Sequence, residues 1–119
     1  MRIWPFGKRD VEMFVIVRIP GHIEPIERGE LFEDPLDEKL KAAGLGEVTG
    51  GGSQLSEEDA DGRRTILFCE IEITVKEKDL AKACAVIKQE MVRLKVPEGA
   101  TLYYTSDGAE KVEPIGVVH

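Results

Sequence analysis

No stretch of this chain approaches the roughly 18 consecutive apolar residues that a membrane-spanning helix needs, and such a helix is excluded. Histidine is nearly absent. His22 and His119 are the only two, and His119 is the last residue, so a histidine-based metal or catalytic site has little to draw on. The two cysteines, Cys69 and Cys84, lie 15 apart and lack the short paired spacing of a metal or redox motif. Both are expected reduced. Basic runs are missing too: Lys8-Arg9, Arg63-Arg64, Lys88 and Lys95 are scattered and not interleaved with aromatics. Against a net charge of −7, nucleic acid and anionic lipid are excluded as partners, while basic proteins and cations are favoured.

The start, "MRIWPFGKRDVEMFVIVRIPG", is interrupted by Pro5, Gly7, Lys8, Arg9, Asp10 and Glu12 before the apolar core of a signal peptide can form. A cytoplasmic location is the expectation. A hydrophobic content of 42% with 33% charged residues is a globular composition, and 119 residues suit one domain. Residues 1–10 read as an N-terminal arm and 11–119 as that domain. Trp4, the only tryptophan, lies in the arm's "WPF", which either docks a partner or tucks against its own domain.

The apolar pattern then marks the elements. "VEMFVIVRI" at 11–19 is rich in β-branched residues and ends at Pro20-Gly21, which predicts a strand. "PGHIEPIERGELFEDP" reads as a long acidic loop. Asp34 as N-cap, Pro35 at the first helical position and Gly44 past the end predict a short helix that turns Leu36, Leu40 and Ala43 inward. In "TILFCEIEITV", Leu67, Cys69, Ile71, Ile73 and Val75 share one strand face, with Ile66, Phe68, Glu70, Glu72 and Thr74 on the other. Asp79 caps a predicted second helix with Leu80, Ala83, Cys84, Ile87, Met91 and Leu94 at helical spacing, and Pro97 stops it. Asp107-Gly108 between "TLYYT" and "KVEPI" signals a hairpin.

The resulting order is the βαββαβ pattern of an α+β, ferredoxin-like sandwich: an antiparallel sheet, two helices on one face and an extra C-terminal hairpin strand. In it, "GLGEVTGGGSQL" (44–55) forms the second strand, at a sheet edge. Glycine there suits a bulged strand or one to which another group lies close. The alternative, a phosphate cradle at Gly50, Gly51, Gly52 and Ser53, lacks the following lysine and helix.

Other constellations are weighed in the same way. "EEDADG" at 57–62 starts like a calcium loop, but Phe68 stands at the twelfth place, so Glu57, Glu58, Asp59 and Asp61 read as a solvated hairpin tip. His22, with Glu24, Glu27 and Glu30, has no nucleophile at a recognisable spacing and reads as a surface histidine in an acidic loop. Cys69 and Cys84 read as small core residues. Phe14, Ile16, Ile66 and Phe68 are expected on the sheet face away from the helices, where a second copy of the chain would cover them; a ligand or another protein is the competing cover, and the N-terminal "IWPF" arm or the C-terminal hairpin folded across the face is the third.

The succession of strand, short helix, "GLGEVTGGGSQ", acidic tip, "CEIEITV", helix and "PEGATLYY" resembles the PII signalling proteins in topology. That resemblance implies a ferredoxin-like trimer whose loop after the second strand contacts targets and whose clefts hold nucleotides. Where those proteins carry a basic glycine-rich phosphate loop, this chain has Val96-Pro97-Glu98-Gly99-Ala100.

The sequence therefore predicts a non-enzymatic acidic binding or regulatory protein, without metal or cofactor, that oligomerises through its open sheet face and meets a basic partner with its acidic loops. A PII-like sensor of anions or small ligands at the glycine edge is the alternative. A dimeric ferredoxin-like enzyme with His22, Glu70 or Glu72 as base is another.

Overall fold

The computed structural model describes residues 11–116. The arm at 1–10, Trp4 and His119 lie outside the described residues. Strands β1 (Glu12–Pro20), β2 (Gly46–Leu55), β3 (Ile66–Lys76), β4 (Thr101–Ser106) and β5 (Ala109–Pro114) form one antiparallel sheet in the order β2-β3-β1-β4-β5. This is the ferredoxin-like α+β arrangement that the sequence predicts, extended by the C-terminal hairpin. No described helix is long and apolar enough to cross a membrane.

One face of the sheet carries the core. Val15, Val17 and Ile19 of β1, Cys69, Ile71, Ile73 and Val75 of β3, and Leu102 of β4 are buried there. Against them pack Leu36 and Leu40 of helix α2 (Asp34–Ala43), with Ala83, Cys84, Ile87 and Met91 of helix α3 (Leu80–Arg93). Strict alternation along β1 and β3 makes this possible, since it sends every second side chain to the same side.

Helix ends follow local chemistry. Gly44 takes the left-handed conformation (φ 69°), and the amides of Gly44 and Leu45 return to the carbonyls of Lys41 and Leu40, closing α2 in a Schellman motif. The same pair of bonds ends α3, from Lys95 to Val92 and from Val96 to Met91, but here the left-handed residue is Lys95, at φ 63°. Asp107 and Gly108 both have positive φ, as a two-residue hairpin turn requires.

The stretch expected as a loop is helical. Helix α1 (Pro25–Arg28) begins behind a reciprocal capping box of Glu24 and Glu27, runs through a π turn (Gly29–Glu33) and continues directly into α2. Asp34 is thus inside the helical segment and caps nothing. Its amide donates to the carbonyl of Gly29, five residues back. The widened turn also accommodates Pro35, which has no N–H to give to an α-helical partner. Asp79 makes no side-chain cap either, because a short 3-10 turn (Glu77–Asp79) leads into α3.

A bulge alters the start of β3. Gln54 pairs with Phe68 and Leu55 with Ile66, so Leu67 is the extra residue. The alternation slips there. Leu67, expected inward, is 51% exposed, whereas Ile66, expected on the open face, is only 7% exposed.

Glu90 is the buried charged residue of α3, and both of its carboxylate oxygens accept from Arg93, at 3.0 and 2.5 Å. These bonds hold its carboxyl below the usual glutamate range despite desolvation. A depressed folded-state pKa contributes stability that is complete above the unfolded value and is lost as pH falls through the folded one. The difference in melting temperature between wild type and Glu90→Gln is therefore expected to shrink from about pH 6 to about pH 3. Lys95→Gly, which relieves a left-handed lysine, is expected to stabilise by roughly 0.5–1 kcal/mol in urea denaturation.

Candidate functional site

The glycine strand divides the chemistry of the molecule between two faces. On the helix side, Gly51 lies opposite Ile71, and a methyl group at Gly51 would stand 2.3 Å from Glu33 Oε2 and 3.1 Å from Arg28 Nε. The missing side chain makes room for an ion pair. Arg28 Nε donates to Glu33 at 2.9 Å, and its Nη1 donates to the carbonyl of Gly52 (2.9 Å) and to Ser53 Oγ (3.1 Å). Both side chains are largely buried, at 12% and 20% exposure. The glycine run is accordingly a strand to which another group lies close, and Thr49 forms its bulge between Val48 and Gly50.

On the open side, Gly50 and Gly52 face Glu72 and Glu70 across the ladder. Without side chains on β2, a concavity of about 390 Å³ opens between Ile16, Gly50, Gly51, Gly52, Glu70 and Glu72. A second hollow of about 230 Å³ continues it past Arg18, Ser53, Gln54 and Phe68. Thr49 Oγ1 donates to Glu72 Oε1 at 3.1 Å and shares a bond with Thr74. Two carboxylates in this wall favour a cation over a phosphate, so the electrostatics run against an anion cradle at Gly50 to Ser53.

Arg18 rearranges the apolar patch expected on this face. Its guanidinium bonds Glu70 at 2.7 Å and lies 4.3 Å from the ring centre of Phe68 and 4.8 Å from that of Tyr103. Phe68 is thereby partly covered, and Ile66 is buried. Phe14 remains open at 59% exposure, with Ile16 half-buried beside it and Val112 of β5 open at 53%. In register, Ile16, Tyr103 and Val112 form one row across β1, β4 and β5. Tyr103 and Val112 were missed in the sequence because only the strand order puts them beside Ile16.

The acidic residues separate. His22 Nδ1 accepts from the Ile66 amide at 3.1 Å, which assigns the proton to Nε2, and Nε2 meets Glu24 at 2.5 Å. With both nitrogens engaged, His22 ties the loop after β1 to the start of β3. Glu27 accepts from the Glu24 amide, and Glu30 is exposed on the π turn. At the tip between β2 and β3, Asp59 Oδ1 accepts from the amides of Asp61 and Arg63 and so shapes the turn, while Glu58 pairs with Arg64. Glu57, Glu58 and Asp61 stay exposed. Among the described residues no cluster of His, Cys, Asp or Glu could hold a metal ion. Burial pushes the Cys69 thiol up and drives that of Cys84 to about 11, so both are poor nucleophiles.

No protein-family model matches this chain, and no curated protein matches it. A solved structure to which it is similar is a phage SAM lyase in complex with S-methyl-5'-thioadenosine, 12% identical, covering 91% of this chain and 95% of that one, with a TM-score of 0.46.

The two faces of the glycine strand make opposite predictions for neighbouring substitutions. Gly51→Val, which must displace Glu33 from Arg28, is expected to cost about 1–3 kcal/mol. Gly52→Ala, with open space around its new methyl group, is expected to stay within about 0.5 kcal/mol of wild type. Urea denaturation of the two variants checks the pair.

Proposed function

We propose that this chain is a non-enzymatic binding protein that associates with itself through the open face of its sheet and presents acidic groups to a basic partner. The observation that carries the reading is Phe14, 59% exposed on a central strand. It lies beside the apolar row of Ile16, Tyr103 and Val112. A face of this kind is covered in most proteins, and a second sheet packed at about 10 Å is an economical cover.

The sheet edges support the same reading, because both discourage strand addition. On β2, Asp37 accepts from the Val48 amide at 2.9 Å, Arg28 occupies the Gly52 carbonyl, and two bulges interrupt the ladder. On β5, a strand of only six residues ends in Pro114. Association through the face is what remains. Glu47, Glu70 and Glu72 flank the apolar row on the β2 side and, with Glu57, Glu58 and Asp61 at the hairpin tip, offer negative potential to a basic surface. The two free, buried thiols suit a reducing compartment, in keeping with a cytoplasmic protein.

Static light scattering of the wild type and of Phe14→Glu/Val112→Glu tests this reading. The wild type is expected to be a dimer or trimer, and the variant a folded monomer with unchanged far-ultraviolet circular dichroism. A monomeric wild type at 100 µM would refute self-association through this face.

A further inference from the structure

The hollow over the glycine strand is the acidic half of the open sheet face. Its wall holds Glu70 and Glu72 beside Ile16 and three glycines, and no cationic side chain. Arg18 answers Glu70, whereas Glu72 accepts from the Thr49 hydroxyl and from no described cation. A carboxylate given one neutral donor keeps room for further N–H groups. Past Arg18 the hollow continues along Ser53, Gln54 and Phe68, so that a ring and an amide follow the charge.

The chain carries a basic segment tethered beside this hollow. Residues 1–10, "MRIWPFGKRD", precede the first described residue, and Arg2, Lys8 and Arg9 against Asp10 give them a net charge of +2 in a chain of net charge −7. They are joined to β1, whose Ile16 pairs with Glu72 and lines the hollow. The tether point is fixed, because the Val11 carbonyl accepts from the Glu77 amide at 2.7 Å. From Val11 to the Ile16–Glu72 rung is about 17 Å of strand, while ten residues of arm reach roughly 33 Å. Lys8, three residues before Val11, has about 10 Å of backbone and a four-carbon stem with which to meet Glu72. Trp4 and Arg18 both stand seven residues from Val11, so an arm turned back along the face brings its aromatic residue level with the Phe68 end. A tether this short holds the segment at an effective concentration on the order of millimolar, ahead of any dilute basic partner.

We propose that residues 1–10 dock along this hollow of their own chain, with Lys8 and Arg9 on Glu72, and occupy the acidic half of the open face until a basic partner displaces them. The inference rests on the reading of Glu70 and Glu72 as groups that meet a basic surface, and it leaves the apolar row of Ile16, Tyr103 and Val112 to self-association.

The test places a nitroxide on Gly7→Cys in the full chain, whose buried Cys69 and Cys84 are shielded from the label, and reads paramagnetic broadening of the amide ¹H–¹⁵N signals. At low ionic strength, broadening at residues 50–52 and 70–72 is expected to exceed that along 80–93, on the other side of the sheet, at least threefold. Glu72→Lys and Lys8→Glu/Arg9→Glu are each expected to remove the excess, and Lys8→Arg to retain it. Absent or uniform broadening, or broadening untouched by Lys8→Glu/Arg9→Glu, would overturn the docking. Broadening of the same amides in unlabelled ¹⁵N chains mixed with labelled ¹⁴N chains would overturn its assignment to one chain. Light scattering of the same samples separates the two readings: an oligomer without the excess broadening removes the arm contact alone, and a monomer with it removes self-association alone.

Discussion

The Arg28–Glu33 ion pair over Gly51 is the constraint around which the β2 side of the molecule is arranged. The two residues are five apart, and on an ideal α-helix such positions point about 140° away from each other. The π turn between them adds a residue to the helical circuit and brings both side chains to the sheet. A charged pair at this depth persists because its remaining valences are filled. Arg28 reaches the Gly52 carbonyl and Ser53, so desolvation is offset by hydrogen bonds as well as by attraction. Glycine on β2, the π turn and the unbroken run into α2 are thus parts of one arrangement, and none has a reason without the others.

The open face depends on the same glycines from the opposite side. Gly50 and Gly52 leave the Glu70 and Glu72 carboxylates standing above bare backbone, and Arg18 answers only Glu70. Negative charge accordingly gathers along β2 and β3, and apolar surface lies across β1, β4 and β5. An acidic chain of this size can in this way present two chemically distinct regions on one sheet face.

Much of the architecture was legible because it rests on local rules. Alternation in "CEIEITV", glycine after Ala43, proline after α3 and Asp-Gly in the hairpin each act through backbone geometry or burial, and each emerges where the sequence placed it. The helical stretch from Pro25 was not legible as helix. Pro20, Gly21, Pro25 and Gly29 read as breakers, and a π turn disrupts the 3.6-residue period on which helix recognition depends. The capping box of Glu24 and Glu27 around Pro25 was a signal that could have exposed it. Ile66 and Leu67 exchanged places because a bulge depends on the partner strand. The apolar row through Tyr103 and Val112 comes from strand order, which no local pattern encodes.

The pairing of β1 with β4 is short, three residue pairs against nine for β1 with β3, and it joins segments more than eighty residues apart. The two hairpins, β2–β3 and β4–β5, close short loops and need little chain entropy to form, whereas the β1–β4 seam must wait for the ends of the fold to meet. A late and narrow seam is also the natural line along which a native sheet opens. The C-terminal hairpin is therefore the cooperative unit most able to part from the rest of the fold and rejoin it.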